Sequence, residues 1–113
     1  EGMTLTFDTM DYFVKHYLNS SNDAVNWEAS PLFARDLYNL PQTFIFAAGL
    51  DPLLDEGIAY KNRLISFGNK VTYKLYPGQI HGFLSNSLHF PKAAECIKDI
   101  GKAANSMVLE KRV

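Results

Sequence analysis

The sequence predicts an α/β fold built on parallel strands, and three stretches carry that expectation. TFIFAA, residues 43–48, is apolar at every position but the first, so both of its alternating faces need cover. Strands in the interior of a parallel sheet read this way. KVTYKLY, residues 70–76, alternates, with Val71, Tyr73 and Leu75 on one side and Thr72, Lys74 and Tyr76 on the other. That is a strand with one wetter face, placed near a sheet edge. Between the two, residues 55–67 have helical spacing. A strand, a helix and a second strand in this length form a right-handed crossover, which sets the strands parallel.

The first element is a helix within Thr4 to Leu18. Met10, Phe13, Val14, Tyr17 and Leu18 recur at i, i+3, i+4, i+7 and i+8, which predicts one buried stripe. Thr6 or Asp8 is placed to cap it, and NSSND at 19–23 breaks it. Residues 24–41 lack periodicity and are punctuated by Pro31 and Pro41, so they read as a loop with a short helical turn near 31–38. TFIFAA is too short for a buried helix between the breakers Pro41 and Gly49. In the helix at 55–67, Tyr60, Leu64 and Phe67 share a face, Asp55 and Glu56 sit in the first turn, and Gly68 is the stop. PGQIHGF is a loop. A final helix starts at Pro91, a residue suited to a first turn, with Ala93, Ile97, Ile100, Ala104 and Met107 as its apolar positions.

The 113 residues suit one small domain, read as a helix and connecting loop over 1–41 followed by strand–helix–strand–helix over 42–113. Hydrophobic content of 47% and charged content of 20% exclude a disordered chain. The net charge is -1 with Lys and Arg dispersed, so there is no footprint for nucleic acid. Apolar runs are far too short for a membrane span. The single cysteine, Cys96, allows no disulfide within the chain and gives too few thiolates for a zinc or iron–sulfur site. It points to a reducing compartment, hence a cytoplasmic protein. The opening EGMTLTF has neither a basic n-region nor an apolar h-region, so no signal peptide is expected.

Chemistry in open parallel sheets gathers at the carboxyl ends of the strands. Asp51 lies just beyond the first strand and His81 just beyond the second, thirty residues later. One crossover brings both loops to the same edge, on strands roughly 5 Å apart if they are neighbours. A carboxylate reaching an imidazole there fixes its tautomer and stabilises the imidazolium, while the other ring nitrogen takes a proton from a nucleophile. Asp55 and Glu56 are better explained by the helix N-terminus, whose orphan amides and dipole favour negative charge.

These residues carry a resemblance. LPQTFIFAAGLDPLLDEGIAYKNRLISFGNKVTYKLYPGQIHGF resembles the C-terminal part of the α/β-hydrolase fold, and more narrowly the hormone-sensitive-lipase-like esterases. DPLLDEG and HGF occur in order at fitting spacing, and the upstream LT, M, F, Y and ASPL positions also match, so the likeness covers about residues 4–108. It implies a serine hydrolase of carboxylic esters with short or medium acyl chains, acting on a small-molecule ester without metal or organic cofactor. Asp51 and His81 would be its triad acid and base, and Phe83 would line an acyl pocket or simply pack in the core. The triad's serine sits in a G-x-S-x-G elbow behind an HGGG-type loop in this fold. No serine here lies in such an elbow and no such loop is present, so the chain looks like the C-terminal piece of an esterase, inactive by itself. Without upstream strands TFIFAA would leave an apolar edge, so self-association is expected.

Two other readings stand beside this one. The C-terminal part of a prolyl-oligopeptidase-like peptidase shares the fold and the Asp–His order, and DPLLDEG favours the esterase over it. A non-catalytic binding module derived from the fold is the other, and retention of Asp51 with His81 weighs against it. His81 and His89 lack a third ligand for a metal, His16 reads as solvated, and Cys96 as a small core residue. Gly78 and Gly82 read as loop geometry, and Tyr60, Tyr73 and Tyr76 as packing.

Overall fold

The computed structural model describes residues 5–112, with side chains described through Leu109. Its main elements are α1 (Phe7–Tyr17), β1 (Thr43–Ala48), α2 (Leu54–Ser66), β2 (Val71–Tyr76) and α3 (Pro91–Arg112). Short 3₁₀ turns cover Ser21–Val25, Pro31–Phe33 and Phe83–Ser85. The two strands and the last two helices fall within about a residue of where periodicity sets them. The helical turn expected near 31–38 contracts to Pro31–Phe33, and part of the NSSND break is itself the first 3₁₀ turn. Thr4, where the first helical segment was expected to begin, lies outside the described residues.

β1 and β2 pair in parallel, with Thr43 opposite Val71 and Ala48 opposite Tyr76. The crossover expected from the sequence is therefore present, with α2 as its helix. Parallel pairing without offset puts Phe46, Ala48 and Tyr76 on one face. There they join Phe83, Phe90, Ala93, Cys96 and Ile100, so α3 covers that side of the sheet. α2 packs against both strands, and its Lys61 ammonium lies 4.6 Å from the centre of the Tyr73 ring on the opposite side. Helices on both faces explain why β1 is apolar from Phe44 to Ala48.

Leu64 is the anchor of α2, only 1% exposed. Beside it, the Asn69 amide nitrogen donates to the carbonyls of Leu37 at 2.5 Å and Leu64 at 3.0 Å, and its oxygen accepts the Leu40 amide at 2.9 Å. Arg63 donates to the carbonyls of Leu32 and Arg35. These two side chains clasp the irregular 30–40 segment onto α2. Trimming Leu64 to Ala removes buried methyl groups and leaves a cavity, so Leu64→Ala is expected to destabilise the chain by about 2–5 kcal/mol. An unfolding free energy, read from urea denaturation, lowered by less than a tenth of that amount would contradict Leu64 as the anchor.

Four expectations need correction. The α1 stripe forms but is not buried: Phe13, Val14 and Tyr17 are 57%, 50% and 77% exposed. Its helical period is right, and Thr6 caps it by accepting the Thr9 amide at 3.2 Å, yet among the described residues that face meets an open groove with Ala24, Ala29 and Ser30. β1 is only half-buried over most of its length, because the sheet here has two strands among the described residues. The buried positions of α3 are Ala93 and Cys96, continued by Ile100, Ala103 and Met107, whereas Ile97 is 53% exposed. Spacings of three and four admit either set, and the position of the sheet selects between them. Finally, the faces of β2 do not divide evenly: Leu75 is exposed, while Tyr76, on the face expected to be wetter, is buried under α3, in keeping with its reading as a packing residue.

Charge joins β2 to α3. The Lys74 ammonium lies 2.6 Å from Asp99 Oδ2 and 3.5 Å from Glu95, and the Tyr76 hydroxyl donates to the same Asp99 oxygen at 2.5 Å. Hydrogen bonds from Lys74 and Tyr76 hold the Asp99 carboxyl below its ordinary value of 3.8. Lys92, ahead of Lys74, likewise lowers Glu95. Asp99 raises Lys74, and burial together with Asp99 raises the Tyr76 phenol. The folded chain thus binds fewer protons at these carboxylates than the unfolded chain does in the acid range. Their stabilisation is present above the ordinary carboxylate values and drains as pH falls through the lowered ones. Lys74 and Tyr76 stabilise below their ordinary values of 10.5 and 10.0 and lose that contribution above them. The urea midpoint is therefore expected to fall at both ends, below about pH 4 and above about pH 10. An Asp99→Asn variant should show a flatter acid limb; an identical limb would contradict this seam.

Candidate active site

β1 ends at Ala48 and β2 at Tyr76, side by side, so the loops that follow emerge at the same edge. Their backbones are laced together. The Tyr76 carbonyl accepts the Gly49 amide at 3.0 Å and the Gln79 amide at 3.3 Å, and the Gln79 carbonyl accepts the Leu50 amide at 2.9 Å. A Cβ on Gly49 would stand 3.0 Å from Pro77 Cα and 3.3 Å from the Gly78 nitrogen. Only a residue without a side chain lets the loops approach this closely.

From this junction Asp51 and His81 reach each other, with Asp51 Oδ2 2.8 Å from His81 Nδ1. The Asp51 side chain is mostly buried, at 16% exposure, while that of His81 is 45% exposed. Asp51 divides its two oxygens. Oδ1 accepts the Leu53 amide at 2.9 Å, and the Asp51 main-chain carbonyl accepts Leu54 at 3.0 Å. Leu53 stands at the N-cap of α2 with no side-chain acceptor to offer, so Asp51 supplies the turn that starts the helix. A turn-forming role and a partnership with His81 are thus both present in one carboxylate, each through its own oxygen. Fixing Oδ1 in the turn aims Oδ2 at the imidazole.

Gly78 at φ 80° and Gly82 at φ 79° bracket the His81 loop, in the left-handed region that glycine takes at no steric cost. Gly82 opens the turn at Phe83–Ser85. Phe83 is buried, its ring 5.6 Å from that of Tyr76, in the cluster beneath α3. Asp55 and Glu56 are exposed in the first turn of α2, as the sequence places them. His16 is exposed with Nδ1 2.7 Å from the Tyr12 carbonyl, and Cys96 is buried. A groove of about 500 Å³ runs between the 30–32 segment and α2, lined by Ser30, Pro31, Leu32, Leu53, Glu56, Gly57 and Tyr60. It begins two residues from Asp51. Among the described residues no three His, Cys, Asp or Glu side chains are grouped to hold a metal ion, and no helix is long and apolar enough to cross a membrane.

Sequence reasoning missed the lacing role of Gly49 and the Asp99 partner of Tyr76. Gly49 stands out only as a breaker, since its close neighbours are 28 and 29 residues away in sequence. Asp99 reads as a solvated helix position because its contacts cross from α3 to β2.

A strand–helix–strand with an Asp–His pair at the carboxyl edge defines the class, and comparison with known proteins fixes it. A family described as having the alpha/beta hydrolase fold matches residues 1–85. The chain belongs to the α/β-hydrolase family, in its hormone-sensitive-lipase-like branch, as DPLLDEG and HGF indicate. It is 42% identical over 77 residues to an arylesterase of Saccharolobus solfataricus, covering 68% of this chain and 25% of that protein. It is 30% identical over 106 residues to an esterase of Acinetobacter venetianus, covering 94% and 35%. Among solved structures, a hyperthermophilic esterase from Pyrobaculum calidifontis superposes with a TM-score of 0.88 at 36% identity, over 93% of this chain and 34% of that one. An ester-hydrolase from the metagenome of Lake Arreo gives 0.82 at 40% identity, over 100% and 35%. The chain therefore spans about a quarter to a third of the length of these relatives.

Proposed function

We propose that this chain supplies the acid and the general base of a serine carboxylic ester hydrolase. The observation that carries the reading is the 2.8 Å contact between Asp51 Oδ2 and His81 Nδ1, at the carboxyl ends of adjacent parallel strands. Esterases among the relatives support the ester over the peptide as substrate class.

In this mechanism the serine and the oxyanion donors come from outside residues 1–113. His81 Nε2 takes the serine hydroxyl proton as the serine oxygen attacks the ester carbonyl carbon. The imidazolium that forms is stabilised by Asp51, which keeps its negative charge throughout. His81 then returns the proton to the leaving alkoxide oxygen, giving the alcohol and an acyl-enzyme. In the second half His81 takes a proton from water, whose oxygen attacks the acyl carbon, and the serine leaves reprotonated. Phe83 backs the His81 loop from the core and presents its remaining edge to a short or medium acyl chain. By itself the chain lacks the covalent route. It self-associates through its open strand edge and exposed apolar residues such as Leu88, 93% exposed.

The coding sequence directly upstream of Glu1 tests the reading. It should encode, in frame, an HGGG-like loop followed by G-x-S-x-G. Unrelated sequence in that position would overturn it and leave a binding role to be pursued.

A further inference from the structure

The Asp51–His81 contact depends on two loops staying in register, and Tyr76 ties both of them to the end of β2, beside the direct bond from the Leu50 amide to the Gln79 carbonyl at 2.9 Å. Tyr76 is the last residue of β2, and its carbonyl takes one amide from each loop, Gly49 at 3.0 Å and Gln79 at 3.3 Å. Where that carbonyl stands is set by the Tyr76 side chain, which is 3% exposed and wedged between the Phe83 ring and α3. The hydroxyl of that side chain donates to Asp99 Oδ2 at 2.5 Å. Asp99 in turn is held by the Lys74 ammonium at 2.6 Å, from two residues earlier on the same strand.

We propose that Asp99 is a positioning residue for the Asp51–His81 pair, acting through Tyr76. The proposal rests on the acid–base reading of that pair. It ascribes to α3 a role beyond covering the sheet. Without Asp99 the buried phenol would be held by packing alone and would leave its hydroxyl unpaired at a cost, which a small shift of the ring and strand end would relieve. Asp99 pairs the hydroxyl and clamps the end of β2 against the helix. With the strand end fixed, the two amides bound to the Tyr76 carbonyl and the Leu50 amide bound to the Gln79 carbonyl hold the loops at one separation, and Asp51 Oδ2 meets His81 Nδ1. If the clamp is released, the strand end shifts by a fraction of an ångström, which is enough to lengthen a 2.8 Å contact. Lys74 supports the clamp from the side, its ammonium 5.1 Å from the Tyr76 ring centre.

The test uses the full chain, labelled with ¹⁵N, and reads the tautomer of neutral His81 from its ring nitrogens. A carboxylate on Nδ1 favours the tautomer that carries the proton there. Tyr76→Phe deletes one oxygen and leaves the ring packed; Asp99→Ala deletes the acceptor; Asp99→Asn keeps an acceptor oxygen for the phenol. The expected result is that Tyr76→Phe and Asp99→Ala lower the Nδ1–H to Nε2–H ratio roughly threefold to tenfold, the net worth of one hydrogen bond. Asp99→Asn should restore most of the ratio, and the Gly49 and Gln79 amides should exchange faster with solvent in the first two variants only. Leu64→Ala, equally or more destabilising but remote from the seam, should leave the ratio unchanged while the chain is folded. Should Asp99→Ala fail to fold, Tyr76→Phe with its amide exchange decides. An unchanged ratio and unchanged exchange in Tyr76→Phe would overturn the proposal while leaving the pair intact, provided Asp51→Asn alters the ratio. If Asp51→Asn leaves it unaltered, the pairing itself fails, and the positioning role falls with it.

Discussion

Replacing His81 with Ala is expected to lower ester turnover on the order of 10⁴-fold or more, and Asp51→Asn on the order of 10⁴-fold. The assay calls for a hybrid in which residues 1–113 replace the matching segment of the Lake Arreo ester-hydrolase, a protein 40% identical over all of this chain. Both substitutions remove interactions that matter as charge develops on the imidazole. The loss should therefore appear in kcat and kcat/KM alike, with KM for p-nitrophenyl butyrate little changed. Asp51→Asn is the more informative of the two. It keeps an oxygen for the Leu53 amide that starts α2, so folding survives, while the carboxylate that supports the imidazolium is gone. A hybrid that retains a tenth of its activity after either change would be incompatible with a triad role.

Gly49→Ala is expected to have the next largest effect. The new Cβ would meet Pro77 Cα at 3.0 Å and the Gly78 nitrogen at 3.3 Å, and these are backbone atoms with no side-chain torsion to relieve them. Overpacking of this kind costs about 1–3 kcal/mol. It also acts where it does most harm, since the loops forced apart are those whose amides share the Tyr76 carbonyl and whose side chains form the 2.8 Å contact. Urea unfolding of the chain should show the destabilisation, and the hybrid should lose one to two orders of magnitude in kcat, as misplacement of reacting groups by about 1 Å does. Gly57→Ala is the natural comparison, because a Cβ there meets nothing within 4 Å. It should be neutral or slightly stabilising, as Ala replaces Gly within a helix. Equal effects at the two glycines would contradict the close approach at Gly49.

The local elements were legible because local rules govern them. TFIFAA and VTYKLY carry strand patterns, Gly68 at φ 86° ends the helical span as its position suggested, and Pro91 begins α3. The Asp51–His81 pairing was also legible, because topology supplies it: a parallel crossover must return both strand ends to one edge. What the pattern did not disclose depends on contacts between distant elements. Spacing alone could not decide between Cys96 and Ile97 as the buried position of α3; the location of β2 did. The stripe of α1 has the right period and remains exposed, since amphipathicity records that a face needs cover without supplying it. Tyr76 shows the same limit in part: its residue type marks it for packing, but not what it packs against. Its place in the alternation assigned it to the side of Lys74, and it is buried because α3 lies over that side and Asp99 satisfies its hydroxyl.

The most direct measurement is the rate at which a fluorophosphonate labels the hybrid, compared with its His81→Ala variant. A serine reacts with this probe at useful speed only when a base activates it. With Asp51 and His81 as the acid and base, the hybrid should label rapidly, and the variant, folded and equally soluble, should label at least a hundredfold more slowly, within the roughly 10²- to 10⁴-fold that a general base contributes. Equal labelling rates in the two proteins would show that the serine is activated without His81, and the assignment of this chain as the source of the general base would be wrong.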